Sequence, residues 1–180
     1  MTDPAAAGAS PRTLDAEAIY AELEASVAAR IAAAGGQGPA IVGIHSGGAW
    51  VARRLHEALC PEAPLGFLSS AFHRDDFSER GLRAVGGAGT TRIDFPVDGA
   101  DIVLVDDILY TGRTVRAALN ELFDYGRPAR VALAVLLDRG GRELPVEADH
   151  VGATLRLPPG QGFVLGRTDD GRFTLAVEPA

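Results

Sequence analysis

The chain has 180 residues, 47% of them apolar, and a formal net charge of −7. That suits a single globular domain with a sizeable core, and no apolar run reaches the length of a membrane span. All 17 basic residues are arginine, which excludes a Walker-type lysine, a Schiff-base lysine and a lysine general base. The acidic balance argues against general nucleic-acid binding, which leaves a basic footprint, while a local arginine patch stays open. The single Cys60 rules out an internal disulfide and gives no cysteine cluster for zinc. Residues 1–10 lack the charged and apolar regions of a secretory signal, so a cytoplasmic location is expected.

Residues 1–12 are small and proline-containing and read as a disordered lead-in, with one domain over 13–180. A helix is expected from Leu14: Ile19, Leu23, Val27 and Ile31 recur every four residues, and Asp15 and Glu17 favour its first turn. Glycines and Pro39 stop it. Ala40-Ile41-Val42-Gly43-Ile44 reads as a buried strand. The loop His45-Ser46-Gly47-Gly48 follows, then a helix over 49–59 with Ala52, Leu55 and Leu59 on one face. A glycine loop of this kind lets backbone N–H groups approach an anion closely. His45 is either a packing residue or a ligand contact. Cys60, before Pro61, reads as structural.

Residues 65–72 form a predicted strand, 78–91 a glycine-rich loop, and 92–97 an alternating edge strand that tolerates Pro96. Together they predict a flexible flap with Arg74, Arg80, Arg83 and Arg92 on or beside it. Long loops in compact domains usually have a function.

The chain is organised around Ile102-Val103-Leu104-Val105-Asp106-Asp107-Ile108-Leu109-Tyr110-Thr111-Gly112-Arg113-Thr114. Four apolar residues without alternation suit a strand buried on both faces of a parallel sheet. Two carboxylates at its end sit where open α/β sheets bind ligands, and such a pair repels itself unless a cation or a hydroxyl-rich ligand is near. The helix after Arg113 carries Val115, Ala118, Leu119, Leu122 and Phe123 as a core face and ends near Gly126 and Pro128. Its unsatisfied N–H groups make a phosphate site at the Thr-Gly-Arg-Thr turn. Residues 131–137 are again apolar, completing a βαβ unit over 102–137, expected right-handed. Residues 138–145 cap that unit, either as a salt-bridged turn or as a place for a nucleotide base. Residues 151–177 read as β-hairpin strands without chemistry of their own.

The segment Ile102 to Thr114 resembles the phosphoribosyl pyrophosphate (PRPP) motif of type I phosphoribosyltransferases. Residues 41–59, 72–77 and 101–152 extend the likeness to the PyrR family, most tellingly Tyr110 to Ala118 and Leu136 to Gly140 with Arg142-Glu143-Leu144-Pro145. The resemblance implies an α/β type I phosphoribosyltransferase fold: a mostly parallel sheet flanked by helices, with a β-hairpin flap and a small hood. It implies a uracil phosphoribosyltransferase converting uracil and PRPP to UMP and pyrophosphate, with Mg²⁺ carried by PRPP.

On that resemblance Asp106 and Asp107 face the ribose hydroxyls and the metal, and Arg74 closes over the pyrophosphate. Ser46, Gly47 and Gly48 offer N–H groups to pyrophosphate. Ile108, Leu109, Tyr110, Thr111, Gly112, Arg113 and Thr114 hold the nucleotide, and Arg139 reads the base. It also implies a homodimer or tetramer and a UMP-responsive regulator binding pyrimidine leader mRNA, although Glu147 stands where regulating members often carry a basic residue. The alternatives are a non-catalytic UMP-sensing RNA-binding regulator and a phosphoribosyltransferase for another base. Orotate enzymes generally carry a flap lysine, which this chain lacks.

Overall fold

Strands that are apolar at every position need cover on both faces, and the fold supplies it. The computed structural model describes residues 14–36, 38–69 and 89–179. The lead-in over 1–12 and the flap residues Arg74, Arg80 and Arg83 lie outside the described residues.

Helix α1 (Ala16–Ala33) starts at Asp15, whose Oδ1 accepts the Ala18 N–H at 3.0 Å. Ala16, Tyr20, Leu23, Val27 and Ile31 form its buried stripe, and Ile19 lies half-buried at its margin. There follow β1 (Ala40–Ile44), α2 (Gly47–Leu59), β2 (Leu65–Leu68), β3 (Asp101–Leu109), α3 (Arg113–Asp124), β4 (Arg130–Asp138), β5 (His150–Thr154), β6 (Gln161–Arg167) and β7 (Phe173–Pro179). Five strands pair in the order β2-β1-β3-β4-β5, all parallel. The strand order reverses between β1 and β3, so the chain leaves these neighbours in opposite directions and opens a crevice at their C-terminal ends.

Alternation sorts the strand residues between two cores. Ile41, Val103, Val105, Ala134 and Leu136 face α1, α2 and the hairpin of β6 and β7. Val42, Ile102, Leu104, Leu133 and Val135 face α3 through Val115, Ala118 and Leu122. Close approach of α2 to β1 requires Gly43, where a Cβ would lie 2.7 Å from that of Ala52.

A polar clamp ties α1, α2 and β7. Arg54 donates from both terminal nitrogens to the two Glu17 carboxylate oxygens at 2.7 Å, and Glu17 also accepts the Phe173 N–H at 2.7 Å. The guanidinium stacks 4.1 Å from the Tyr20 ring and 5.1 Å from that of Phe173. Leu14 forms an antiparallel bridge with Leu175, fastening the approach to α1 onto the hairpin.

Four expectations are corrected. Residues 150–154 do not form a hairpin strand but extend the parallel sheet beside β4. Gly152 permits this, because a Cβ there would lie 2.5 Å from the Ile19 carbonyl of α1 and 2.6 Å from that of Leu136. Residues 92–97 form no strand; Arg92 makes one antiparallel bridge to Phe67, with two 2.8 Å backbone bonds. The strand expected over 65–72 ends as β2 at Leu68, with Ser69 outside it, and residues 70–72 lie outside the described residues. Phe123 is exposed rather than core, because it sits in the last turn of α3 under the Arg127 guanidinium, 5.7 Å from its ring.

The Arg54 hydrogen bonds, aided by the Phe173 N–H, lower the Glu17 pKa from 4.5 to about 2. A depressed folded-state pKa stabilises above the unfolded value and is lost as pH falls through the folded one. Arg54→Met is expected to lose about 1–2 kcal/mol at neutral pH, below the buried-pair range because solvent reaches Arg54. In urea melts the gap to wild type should narrow between pH 4.5 and about 2. A gap that does not change with pH would remove Glu17 as its cause.

Candidate functional site

Strand β3 does not end at the acid pair, as the sequence pattern suggested, but carries it: Asp106 pairs with Val135 of β4 and pairing continues to Leu109. Asp106 is 5% exposed, and its Oδ1 accepts the Asp107 N–H at 3.0 Å. Asp107 Oδ1 accepts the Ile108 N–H at the same distance. Alternation puts Asp107 on the face of Val103 and Val105, toward α2.

There α2 meets it. A Cβ on Gly47 would lie 2.1 Å from Asp107 Oδ2, and one on Gly48 2.6 Å from the Val105 carbonyl and 2.8 Å from Asp106 Cα. Gly47 and Gly48 are not loop residues but the first turn of α2, with Ser46 as a cap that makes no side-chain capping bond. Their N–H groups belong to the donors a helix start leaves unsatisfied. Between β1 and α2 remain only His45 and Ser46, joined by a cis peptide.

His45 takes the packing alternative. Its ring lies 5.5 Å from that of Phe67 and flat against Gly89, where a Cβ would come within 2.2 Å of it. Burial first, then the Arg53 charge, holds its pKa below the usual imidazole value.

The second loop joins β3 to α3 through Tyr110, Thr111 and Gly112. Gly112 caps α3 at φ 91°, a left-handed conformation open to glycine. Thr111 Oγ1 accepts the Arg113 N–H at 3.3 Å. Residues 138–146 pack against this loop. Arg113 donates through Nε and Nη2 to Glu143 Oε2 at 2.9 and 2.7 Å. Arg139 stacks 3.8 Å from the Tyr110 ring and donates to the Gln161 carbonyl at 3.0 Å. Arg142 pairs with Asp138 at 2.6 Å, as a salt-bridged turn would require, and reaches the Tyr110 carbonyl at 2.9 Å.

The structure thus brings Gly47 and Gly48 against Asp106 and Asp107, with Ser46 as the cap of the same helix, and puts Thr111, Gly112, Arg113 and Thr114 at the start of α3. Ile108 and Leu109 are strand residues, and Leu109 lies in the α3 core. Arg139 sits beyond Tyr110, off the acid pair, and Arg74 lies outside the described residues. Sequence reasoning missed the contact of Gly47 with Asp107 and the grip of Arg142 on the loop carbonyls. The one signal for the second was the i,i+4 spacing of Asp138 and Arg142 around two glycines. Among the described residues no three His, Cys, Asp or Glu gather to cage a metal. Two neutral sets of N–H donors flanking two carboxylates can hold a hydroxyl-bearing sugar with an anionic group at each end.

The two glycines separate geometry from stability. Gly47→Ala meets the Asp107 side chain from Oδ2 at 2.1 Å back to Cβ at 2.9 Å, so Asp107 should be displaced, at a smaller cost in stability than a clash with backbone. Gly48→Ala meets backbone and should cost about 1–3 kcal/mol. Thermal melts and crystal structures of both variants test this; equal destabilisation would show that Asp107 is not the atom group in the way.

The description "Phosphoribosyl transferase domain" matches residues 12–164. A protein of Nitrosococcus oceani called "Bifunctional protein PyrR" is 46% identical over 167 residues, covering 92% of this chain and 93% of its own. One of the same name from Pseudomonas paraeruginosa is 51% identical over 135 residues, covering 75% and 78%. Among solved structures, a hypoxanthine-guanine phosphoribosyltransferase from Bacillus anthracis superposes with a TM-score of 0.61 at 16% identity, covering 82% of this chain and 85% of that one. At that identity the likeness speaks for the fold alone.

Proposed function

The chain belongs to the phosphoribosyltransferase family, in its PyrR branch, and on that premise we propose that it transfers the phosphoribosyl group of PRPP to uracil, giving UMP and pyrophosphate. The observation that carries this reading is the seat of the Asp106–Asp107 pair against the first turn of α2, in the same crevice as the start of α3. The order of anion donor, carboxylates and anion donor supports the order of pyrophosphate, ribose and 5′-phosphate in PRPP.

In this reading the N–H groups of Gly47 and Gly48, with the Ser46 hydroxyl, receive the pyrophosphate. Asp107, and Asp106 behind it, accept hydrogen bonds from the ribose hydroxyls. As the bond from ribose C1 to pyrophosphate breaks, positive charge grows on the ribose, and a nearby carboxylate stabilises it. Charge grows at the same time on the leaving pyrophosphate, where the dipole of α2 offsets it. Thr111, Gly112, Arg113 and Thr114 anchor the 5′-phosphate, and Arg139 on Tyr110 borders the base. The expected contact of Arg74 with the pyrophosphate lies outside the described residues.

Mg²⁺ fits this donor set as a substrate-borne ion. Two hard carboxylates suit a cation that keeps waters and substrate oxygens as its other ligands, and among the described residues there is no fuller cage. Bound with PRPP, it would neutralise pyrophosphate charge.

The assay that tests this supplies PRPP, Mg²⁺ and a panel of bases and reads nucleotide and pyrophosphate. UMP from uracil is expected, and turnover with a purine or orotate alone would replace uracil in the proposal. Asp107→Asn should lower kcat by a factor on the order of 10² with an unchanged melting temperature; unaltered kinetics would remove Asp107 from the site. Arg113→Ala should raise the KM for PRPP more than that for uracil.

The shared name of the relatives, a bifunctional protein, supports a second activity: UMP-dependent binding of a pyrimidine leader RNA by a cytoplasmic dimer or tetramer. The net charge of −7 and Glu147 predict that this binding is weak. A gel shift with and without UMP tests it, and tight binding at physiological salt would overturn the charge argument.

A further inference from the structure

Three successive carbonyls, from Leu109 at the end of β3 through Thr111, all find their partners in residues 139–144. In a strand, carbonyls alternate between the two neighbouring strands, so such a run needs partners. Residues 139–144 provide them. The Leu109 carbonyl accepts the Arg139 N–H at 3.0 Å, and the Thr111 carbonyl accepts those of Glu143 and Leu144 at 3.0 and 3.1 Å. Between them, the Tyr110 carbonyl accepts from Arg142 Nη1 at 2.9 Å, and the same nitrogen lies 3.4 Å from the Leu109 carbonyl. Arg142 is itself held by Asp138 Oδ2 at 2.6 Å and by the Val146 carbonyl, which accepts from Nε at 2.9 Å.

In a trans peptide the N–H of the next residue points opposite to the carbonyl. With all three carbonyls engaged by residues 139–144, the N–H groups of Tyr110, Thr111 and Gly112 face away from that segment, toward the crevice. A concave run of N–H groups is an anion site. We infer that Arg142 is a positioning residue that aims the phosphate-binding amides by holding the carbonyls on their far side. Its charge also polarises the Tyr110–Thr111 peptide and strengthens the Thr111 N–H as a donor. It covers a carbonyl dipole that would otherwise compete for the same orientation. The fork of an arginine suits this, since one side chain serves a carboxylate and several carbonyls at once. The inference rests on the reading of residues 110–114 as the 5′-phosphate cradle.

The test compares binding of UMP and uridine by calorimetry, since the two ligands differ only in the phosphate. Arg142→Met should lower the UMP-to-uridine affinity ratio about tenfold, the scale of a charge-assisted hydrogen bond. Arg142→Lys, which keeps the charge and a single donor, should fall between Met and wild type, and it carries the test if the Met variant does not fold. A general loosening of the fold would weaken both ligands alike. Equal weakening of both, or weakening of neither, in a folded variant overturns the proposal. If the wild-type protein binds UMP no more tightly than uridine, the cradle reading itself falls, and this inference with it.

Discussion

The site depends on one close approach: the start of α2 lies against the acid pair of β3 with no side chain between. Two adjacent carboxylates, one of them buried, are costly in a protein interior unless donors or positive potential face them. The first turn of a helix supplies both, but only at a distance that a Cβ at residue 47 or 48 would forbid. The glycines are therefore set by the close approach of α2 to β3 more than by the turn. The reversal of strand order between β1 and β3 makes the contact available, because it puts the loops that follow the two strands on either side of one crevice.

An approach this tight works only if α2 is held in place. Its outer side is fixed by the Arg54–Glu17 clamp, which ties it to α1 and to the hairpin. Its inner side is fixed by Gly43 and Ala52, which let it sink onto β1. On the other side of the sheet, α3 is seated by Val115, Ala118 and Leu122. Each donor-bearing helix start is thus backed by a different core, and the crevice lies where the two cores meet the sheet edge.

Much of this was legible. Unbroken apolar runs at 40–44, 102–105 and 131–137 announced doubly covered strands, and the structure makes each a parallel one. The acid pair and the turn after it carried the family likeness at fixed spacing. What the pattern hid were contacts between elements. Asp106 and Asp107 looked like the end of a strand because strand interiors rarely hold charges, yet the helix opposite them lets β3 continue. Gly47 and Gly48 looked like a loop because glycine is a poor helix former, and the reason to spend glycine there lies in β3, some sixty residues away. Residues 150–154 gave no sign of joining the sheet, since their cover is α1, far back in the chain. Arg142 was legible only as part of the turn over 138–145, and only its partners reveal an inward task.

The chain also has to bind a polyanion while carrying net negative charge. Among the described residues, two arginines by the site do not stand as bare cations: Arg113 faces Glu143, and Arg142 faces Asp138. Beside these paired arginines, oriented backbone N–H groups at the two helix starts add attraction for phosphate; they carry no net charge and fall off steeply with distance. Such donors recognise the shape of a phosphate held within hydrogen-bond reach and pull weakly on one farther away. That favours a compact sugar phosphate seated deep in the crevice over the extended backbone of a nucleic acid, where long-range cationic charge dominates affinity. By the same logic, recognition here turns on peptide planes held in place, at Gly48, at Gly112 and behind the loop at Arg142, more than on any one surface charge.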